Sequence, residues 1–195
     1  MKLYYQCIIG LWIAHSTLGF SPSSLSTKNA RASSKLHSEP ASAVDDLVDT
    51  IKTRFNIFQK SREQGYSGKQ IIADVIAGEY DSEKTKEKME ELIKSAPCVM
   101  FTWEKSPSCV KAIRAFDLLN ANVKVYRLDD PWSEGNPLRA ELGKAVGRTS
   151  VPFVFINGEY IGGYDDGTGD DKPGMVDLAF KGKLHDLLKE AGALN

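Results

Sequence analysis

Six consecutive residues, Cys98, Val99, Met100, Phe101, Thr102 and Trp103, form a nearly unbroken apolar run, and three residues later comes Ser106-Pro107. A short run of this kind, without helical period, predicts a buried β-strand. Serine before proline is an N-cap and first-turn signal. Cys109, Ala112, Ile113, Phe116 and Leu119 then share one helical face. A buried strand passing at once into an amphipathic helix restricts this part of the chain to layered α/β architecture.

The remaining pattern extends that unit. Asn120 to Asn122 ends the helix, Val123 to Leu128 alternates as a second strand, and Pro137 to Val146 reads as another helix. Pro152 to Ile156 is a third strand, Asn157-Gly158 a hairpin turn, and Glu159 to Ile161 the antiparallel return. Met175 to Ala191 closes the chain as a helix. The order βαβαββα predicts an α/β, thioredoxin-like fold over residues 96–195: a four-stranded mixed sheet flanked by helices.

Residues 41–95 read as an N-terminal helical extension. Val44, Leu47, Val48, Ile51, Phe55 and Phe58 recur at helical spacing and predict a helix with one buried stripe. Ile71, Ile72, Val75 and Ile76 suggest a second helix after Ser67-Gly68. Ser82 reads as the N-cap of a third, carrying Met89, Leu92 and Ile93. Packing against the following domain or against a partner would both satisfy this pattern.

The beginning of the chain has a different character. Met1-Lys2 and the apolar run Leu3 to Ala14, too short to span a bilayer, have the shape of a signal peptide over residues 1–19. Residues 20–40 are serine-rich, carry Lys28, Arg31 and Lys35, and hold no acidic residue before Glu39, the composition of a transit-like segment. A presequence of this two-part form resembles those of algae with secondary plastids. It implies delivery to the plastid (chloroplast), with secretion as the runner-up, and no stable membrane anchor after processing.

The formal net charge of −1 and charges that alternate in sign exclude the basic stripe of a nucleic-acid binder. Removing the presequence leaves Cys98, Cys109 and His185 as the only soft ligands, too few for a zinc cluster. His185 lies in a helical run among Leu184, Leu187 and Leu188 and reads as a helix-surface histidine. A Cys98–Cys109 disulfide is rejected, because the strand carries the chain roughly 15 Å from Cys98 before it turns, beyond the ~7 Å Cα limit of a bridge.

Three stretches, Phe101 to Cys109, Arg148 to Pro152 and Phe155 to Asp166, together resemble the glutaredoxin family in order and spacing. They match its active-site loop, its cis-proline loop and its Gly-Gly-x-Asp turn. The resemblance implies glutathione as ligand. Val151, before a cis Pro152, would pair with it as an added strand, and the turn Gly163, Tyr164, Asp165, Asp166 would hold its γ-glutamyl end, with Trp103 beside the loop. Tyr164 stands where the family has a small residue and would crowd the ligand, stack over it, or lie at the surface.

In the family the loop reads Cys-Pro-x-Cys, and its first cysteine is a thiolate at a helix N-terminus. Here that position is Ser106, whose hydroxyl yields no comparable alkoxide at neutral pH. Cys109 keeps the place of the second cysteine and is expected to be less exposed and less acidic. The resemblance therefore implies a glutathione-dependent thiol–disulfide oxidoreductase of redox homeostasis, acting on glutathionylated plastid proteins and weakened by Ser106. The alternatives are a non-catalytic glutathione-binding module and, ranked third, transferase-like activation of glutathione by Ser106. No metal is expected, since the family's cluster ligand is the cysteine that Ser106 replaces.

Overall fold

The structure is a computed structural model that describes residues 41–194, with side chains from residue 43. The expected signal peptide and transit-like segment, residues 1–19 and 20–40, lie outside the described residues.

Among the described residues eleven elements follow one another: α1 Ala41–Glu63, α2 Gly68–Ala77, α3 Ser82–Ile93, β1 Cys98–Thr102, α4 Pro107–Leu118, β2 Lys124–Arg127, α5 Trp132–Val146, β3 Phe153–Ile156, β4 Glu159–Gly162, α6 Met175–Phe180 and α7 Lys183–Glu190. The strands form one four-stranded sheet in the order β2-β1-β3-β4. β1 runs parallel to β2 and antiparallel to β3, which pairs antiparallel with β4. This is the mixed, thioredoxin-like sheet that the sequence predicts.

β1 is buried on both faces because a core lies on each side of it. Cys98 and Met100 pack with Ala112, Phe116, Met175, Leu184 and Leu188 on the α4, α6 and α7 side. Val99 and Phe101 pack with Leu128, Leu138, Leu142, Phe153 and Phe155 on the α5 side. Met89 and Ile93 of α3 complete that second core.

Several boundaries differ from expectation. The N-cap of α3 is Asp81, whose carboxylate accepts the Lys84 N–H, while the Ser82 hydroxyl donates to Glu141 at 3.0 Å. α5 begins at Trp132, five residues before Pro137, over a segment where Gly135 lies so close to Leu128 that a Cβ would overlap its carbonyl. The closing helix is two: Gly182, at φ +71°, turns the chain between α6 and α7. On α4, Cys109, Ala112 and Phe116 are buried, but Ile113 is exposed.

The largest departure is α1. Its stripe from Val44 to Phe58 is exposed rather than buried. α1 meets α2 through another face, where the buried Ser61 hydroxyl donates to Asp74 at 2.6 Å and Arg54 Nη1 donates to the Ile76 carbonyl at 2.9 Å.

α2 and α3 dock on α5 through a buried polar network. Glu141 Oε1 accepts from the Tyr80 hydroxyl at 2.6 Å, from Ser82 and from Lys144 Nζ at 3.1 Å. Lys144 also lies 3.5 Å from Asp74, which accepts from Gln70 at 2.8 Å. Burial opposes ionisation of Glu141, but the donors from Tyr80 and Lys144 outweigh it and hold the carboxyl below its ordinary value.

Candidate functional site

Ser106 occupies the N-cap of α4 with extended backbone, φ −77° and ψ 119°, and Pro107 follows as the first helical residue. Its half-buried hydroxyl accepts the Cys109 N–H at 3.5 Å, at the limit of a hydrogen bond. The same N–H groups would stabilise an anion there, so position 106 has the setting for a thiolate without the sulfur.

Cys109, one turn into α4, is fully buried, and both Cys98 and Cys109 are free thiols. Burial pushes the Cys109 thiol above its ordinary value, against weaker lowering by hydrogen bonds to Ser106 and the Trp103 backbone. Cys98, buried in β1, is pushed up to about 12 by desolvation alone. His185 is exposed on α7 beside Asp186 and does not line the groove at Val151–Pro152.

The Val151–Pro152 peptide bond is cis, as the sequence expectation has it. Beside it a groove of 500 Å³ is lined by Trp103, Ser106, Arg139, Thr149, Ser150 and Val151, together with Lys69 and Ile72 of α2. It continues past Lys69, Thr149 and Ser150 into a second recess of 350 Å³ bordered by Ser67, Arg148, Asp166 and Thr168. The Val151 backbone N–H and C=O make no hydrogen bond among the described residues, which leaves them open to pairing with a ligand backbone.

One wall is stiffened by stacking. Arg139 sits 4.5 Å over the Trp103 ring and donates to the Thr149 carbonyl at 3.0 Å, and Trp103 meets Trp132 edge to face at 5.5 Å. The buried Trp103 Nε1 has no partner among the described residues.

The far end is held by Arg148, whose Nη2 donates to both oxygens of Asp166 at 2.7 and 2.8 Å and whose Nη1 lies 3.2 Å from the Tyr160 hydroxyl. The Gly163 N–H donates to the Asp166 carbonyl at 2.7 Å. A Cβ on Gly163 would stand 2.3 Å from Arg148 Nη1 and 2.7 Å from an Asp166 carboxylate oxygen, so a larger residue there would have to push this pair aside. Asp165 is exposed beside it. Tyr164 turns away from the groove: Lys111 lies 5.9 Å from its ring, and it lines an apolar cleft with Ala115, Leu119 and Met175.

The structure thus gathers Trp103, Ser106, Val151 and Asp166 along one groove, with Cys109 buried next to Ser106 and not in the lining, and Tyr164 outside it. Lys69, Ile72, Arg139 and Arg148 complete the lining. Their positions in the chain form no motif; only the closing of α2 onto α5 brings them together, and a lone lysine in a helix gives no sequence signal.

The fold and site define a thioredoxin-like domain with a serine-capped helix facing a cis-proline groove. The sequence profile of the family described as Glutaredoxin matches residues 98–161. Glutaredoxin-C6 of Oryza sativa subsp. japonica is 39% identical over 107 residues, 55% of this chain and 88% of that protein. Glutaredoxin-C4, chloroplastic, of the same species is 36% identical over 108 residues, 55% and 74% of the two chains. Among solved structures, a buckwheat glutaredoxin–glutathione complex superposes with TM-score 0.51 at 30% identity, covering 58% of this chain and 96% of that one. A wheat glutaredoxin does so with TM-score 0.51 at 38% identity, covering 57% and 94%. The chain belongs to the glutaredoxin family.

Proposed function

We propose that this chain is a glutathione-binding glutaredoxin whose thiol–disulfide exchange is severely weakened, with Cys109 as the only thiol beside Ser106 among the described residues. The observation that carries the reading is the pairing of a serine at the α4 N-cap with a fully buried Cys109 thiol whose ionisation is disfavoured. The groove beside them suits an extended, carboxylate-bearing tripeptide. The unpaired Val151 backbone supports pairing with the ligand's cysteine, and Lys69 and Arg139 offer cations. Arg148 already neutralises Asp166, so the exposed Asp165 is the freer carboxylate for the ligand's ammonium group.

Exchange, where it occurs, is assigned to Cys109. Its thiolate would attack the glutathionyl sulfur of a glutathionylated protein and release that protein's thiolate. A free glutathione thiolate would then displace Cys109 from the mixed disulfide, leaving glutathione disulfide and a reduced target. Both steps need Cys109 to lose its proton and reach the groove, which its burial opposes. A purely glutathione-holding module is the second reading, favoured by the same burial.

On this reading residues 1–19 and 20–40 serve as signal and transit segments, residues 41–95 as a helical extension and residues 96–195 as the glutaredoxin domain, and family membership points to glutathionylated plastid proteins as targets. Similarity to a rice protein named as chloroplastic supports the plastid assignment.

The test is turnover of a glutathionylated peptide with glutathione and its reductase, alongside calorimetric binding of glutathione, for wild type, Ser106→Cys and Cys109→Ser. Binding by all three, with weak wild-type turnover abolished in Cys109→Ser, supports the exchanger. Binding without wild-type turnover supports the holding module. No binding by any of the three sinks both.

A further inference from the structure

Ile72 of α2 keeps 58% of its surface exposed, although it stands in the groove lining with Ser106 and Val151. Its helix neighbours Gln70, Ala73 and Asp74 are buried, so α2 is seated firmly on the domain with this isoleucine left open. The Gln70 amide fixes that seating by donating to the Ala140 carbonyl of α5 at 3.0 Å and to Asp74 at 2.8 Å.

α2 lies along the groove in a definite order. Ser67, its N-cap, borders the 350 Å³ recess; Lys69 borders both compartments; Ile72 borders the compartment that holds Ser106. With glutathione paired to Val151 through its cysteine, the sulfur attacked in exchange sits in the Ile72 compartment. The protein to be released is joined to that sulfur, and Cα atoms across a disulfide are roughly 4.4–6.8 Å apart. The residues flanking the target's modified cysteine therefore pass over the same rim. Trp103 and Val151 are already partly buried there, and Arg139 is committed to the Trp103 ring and the Thr149 carbonyl. Ile72 is the large apolar side chain left for a target to cover, and covering it removes apolar surface from water.

From this placement we infer that Ile72 selects the targets of exchange, favouring glutathionylated polypeptides with an aliphatic or aromatic residue next to the modified cysteine. The inference rests on the glutathione-binding reading above. It gives a share of substrate specificity to α2, which lies outside the residues that the family profile matches.

The test compares two glutathionylated peptides, identical except for leucine or serine on both sides of the modified cysteine, with glutathionylated free cysteine as reference. The full chain carrying Ser106→Cys is used, where turnover is large enough to resolve. kcat/KM is expected to be about fivefold higher for the leucine peptide, from partial burial of one isoleucine. Adding Ile72→Ser should bring the ratio of the two peptides close to one, and adding Ile72→Leu instead should keep it. The ratio is taken within each variant, so a general effect of the substitution on glutathione binding cancels. Equal rates for the two peptides with Ile72 in place overturn the inference, as does a preference that survives Ile72→Ser. Turnover of glutathionylated cysteine alongside equal peptide rates leaves the glutathione reading standing, whereas no turnover of any of the three substrates sinks that reading and the inference with it.

Discussion

The Ser106 hydroxyl accepts the backbone N–H of Cys109 at 3.5 Å, so the residue in the nucleophile's place serves as a helix cap for the residue in the resolving place. A cap of this kind contributes about 1 kcal/mol to the helix, whereas a thiolate there would be stabilised by the same N–H groups and by the helix dipole. Ser106 therefore retains a structural role and gives up a chemical one.

Ser106→Cys should restore exchange. A thiol at a helix N-terminus falls below the ordinary cysteine value, and each pKa unit lowered gives about tenfold more thiolate at neutral pH until ionisation is complete. Turnover of a glutathionylated peptide should rise at least about tenfold over wild type, with the activity rising along the titration of the new thiol between about pH 4 and 7. A variant no faster than wild type would show that the groove, and not the missing sulfur, limits the reaction.

Alkaline solution should destabilise the fold through its thiols. Cys98 ionises at about 12 in the folded chain against 9.0 ordinarily, and Cys109 is shifted the same way. Both folded values are raised, so the contribution is complete below the unfolded value and is lost as pH rises from there through the folded value. Tyr80 and Tyr160, also raised chiefly by burial, add to the loss at higher pH. At about pH 10.5 Cys98 alone removes about 2 kcal/mol. The urea midpoint should fall between neutral pH and that point, and fall less in Cys98→Ala.

Lys144→Met should unsettle the α2–α5 joint. It leaves Glu141 and Asp74 buried without their shared cation, a loss of the kind that costs about 3–5 kcal/mol. A Lys144 side chain 26% exposed places the cost toward the lower end. Because Lys69 reaches the groove from α2, the same change should weaken ligand binding before the sheet unfolds. Hydrogen exchange resolved by segment would show α2 and α3 opening first; uniform loss across all helices would contradict this.

Much of the site could be read from the chain before any coordinates. Ser106-Pro107 and Asn157-Gly158 act through local backbone chemistry and stand where that chemistry predicts, whereas the cis Val151–Pro152 bond is legible only through the family resemblance. The departures come from tertiary contacts. The spacing of Val44 to Phe58 specifies a helix with an apolar face but not whether a neighbour covers it. Asp81 and Ser82 compete for one cap, and Glu141, 59 residues further along, claims the serine. Arg148 acts by reaching across to Asp166, and Gly163 matters because of what lies over it.

The Lys69 side chain gives the sharpest test of the helical extension's part in binding. It borders both compartments of the groove and makes no ion pair among the described residues. An exposed cation meeting a ligand carboxylate contributes about 0.2–1 kcal/mol, so Lys69→Ala should weaken glutathione binding up to about fivefold, and Lys69→Glu should weaken it further. The effect is screened, so the difference from wild type should shrink between low and high salt. Measured on Ser106→Cys, where turnover is large enough to resolve, the change should fall on KM and leave kcat unaltered, because Lys69 touches neither sulfur position. A fall in kcat with constant KM would instead assign α2 to ordering the catalytic loop.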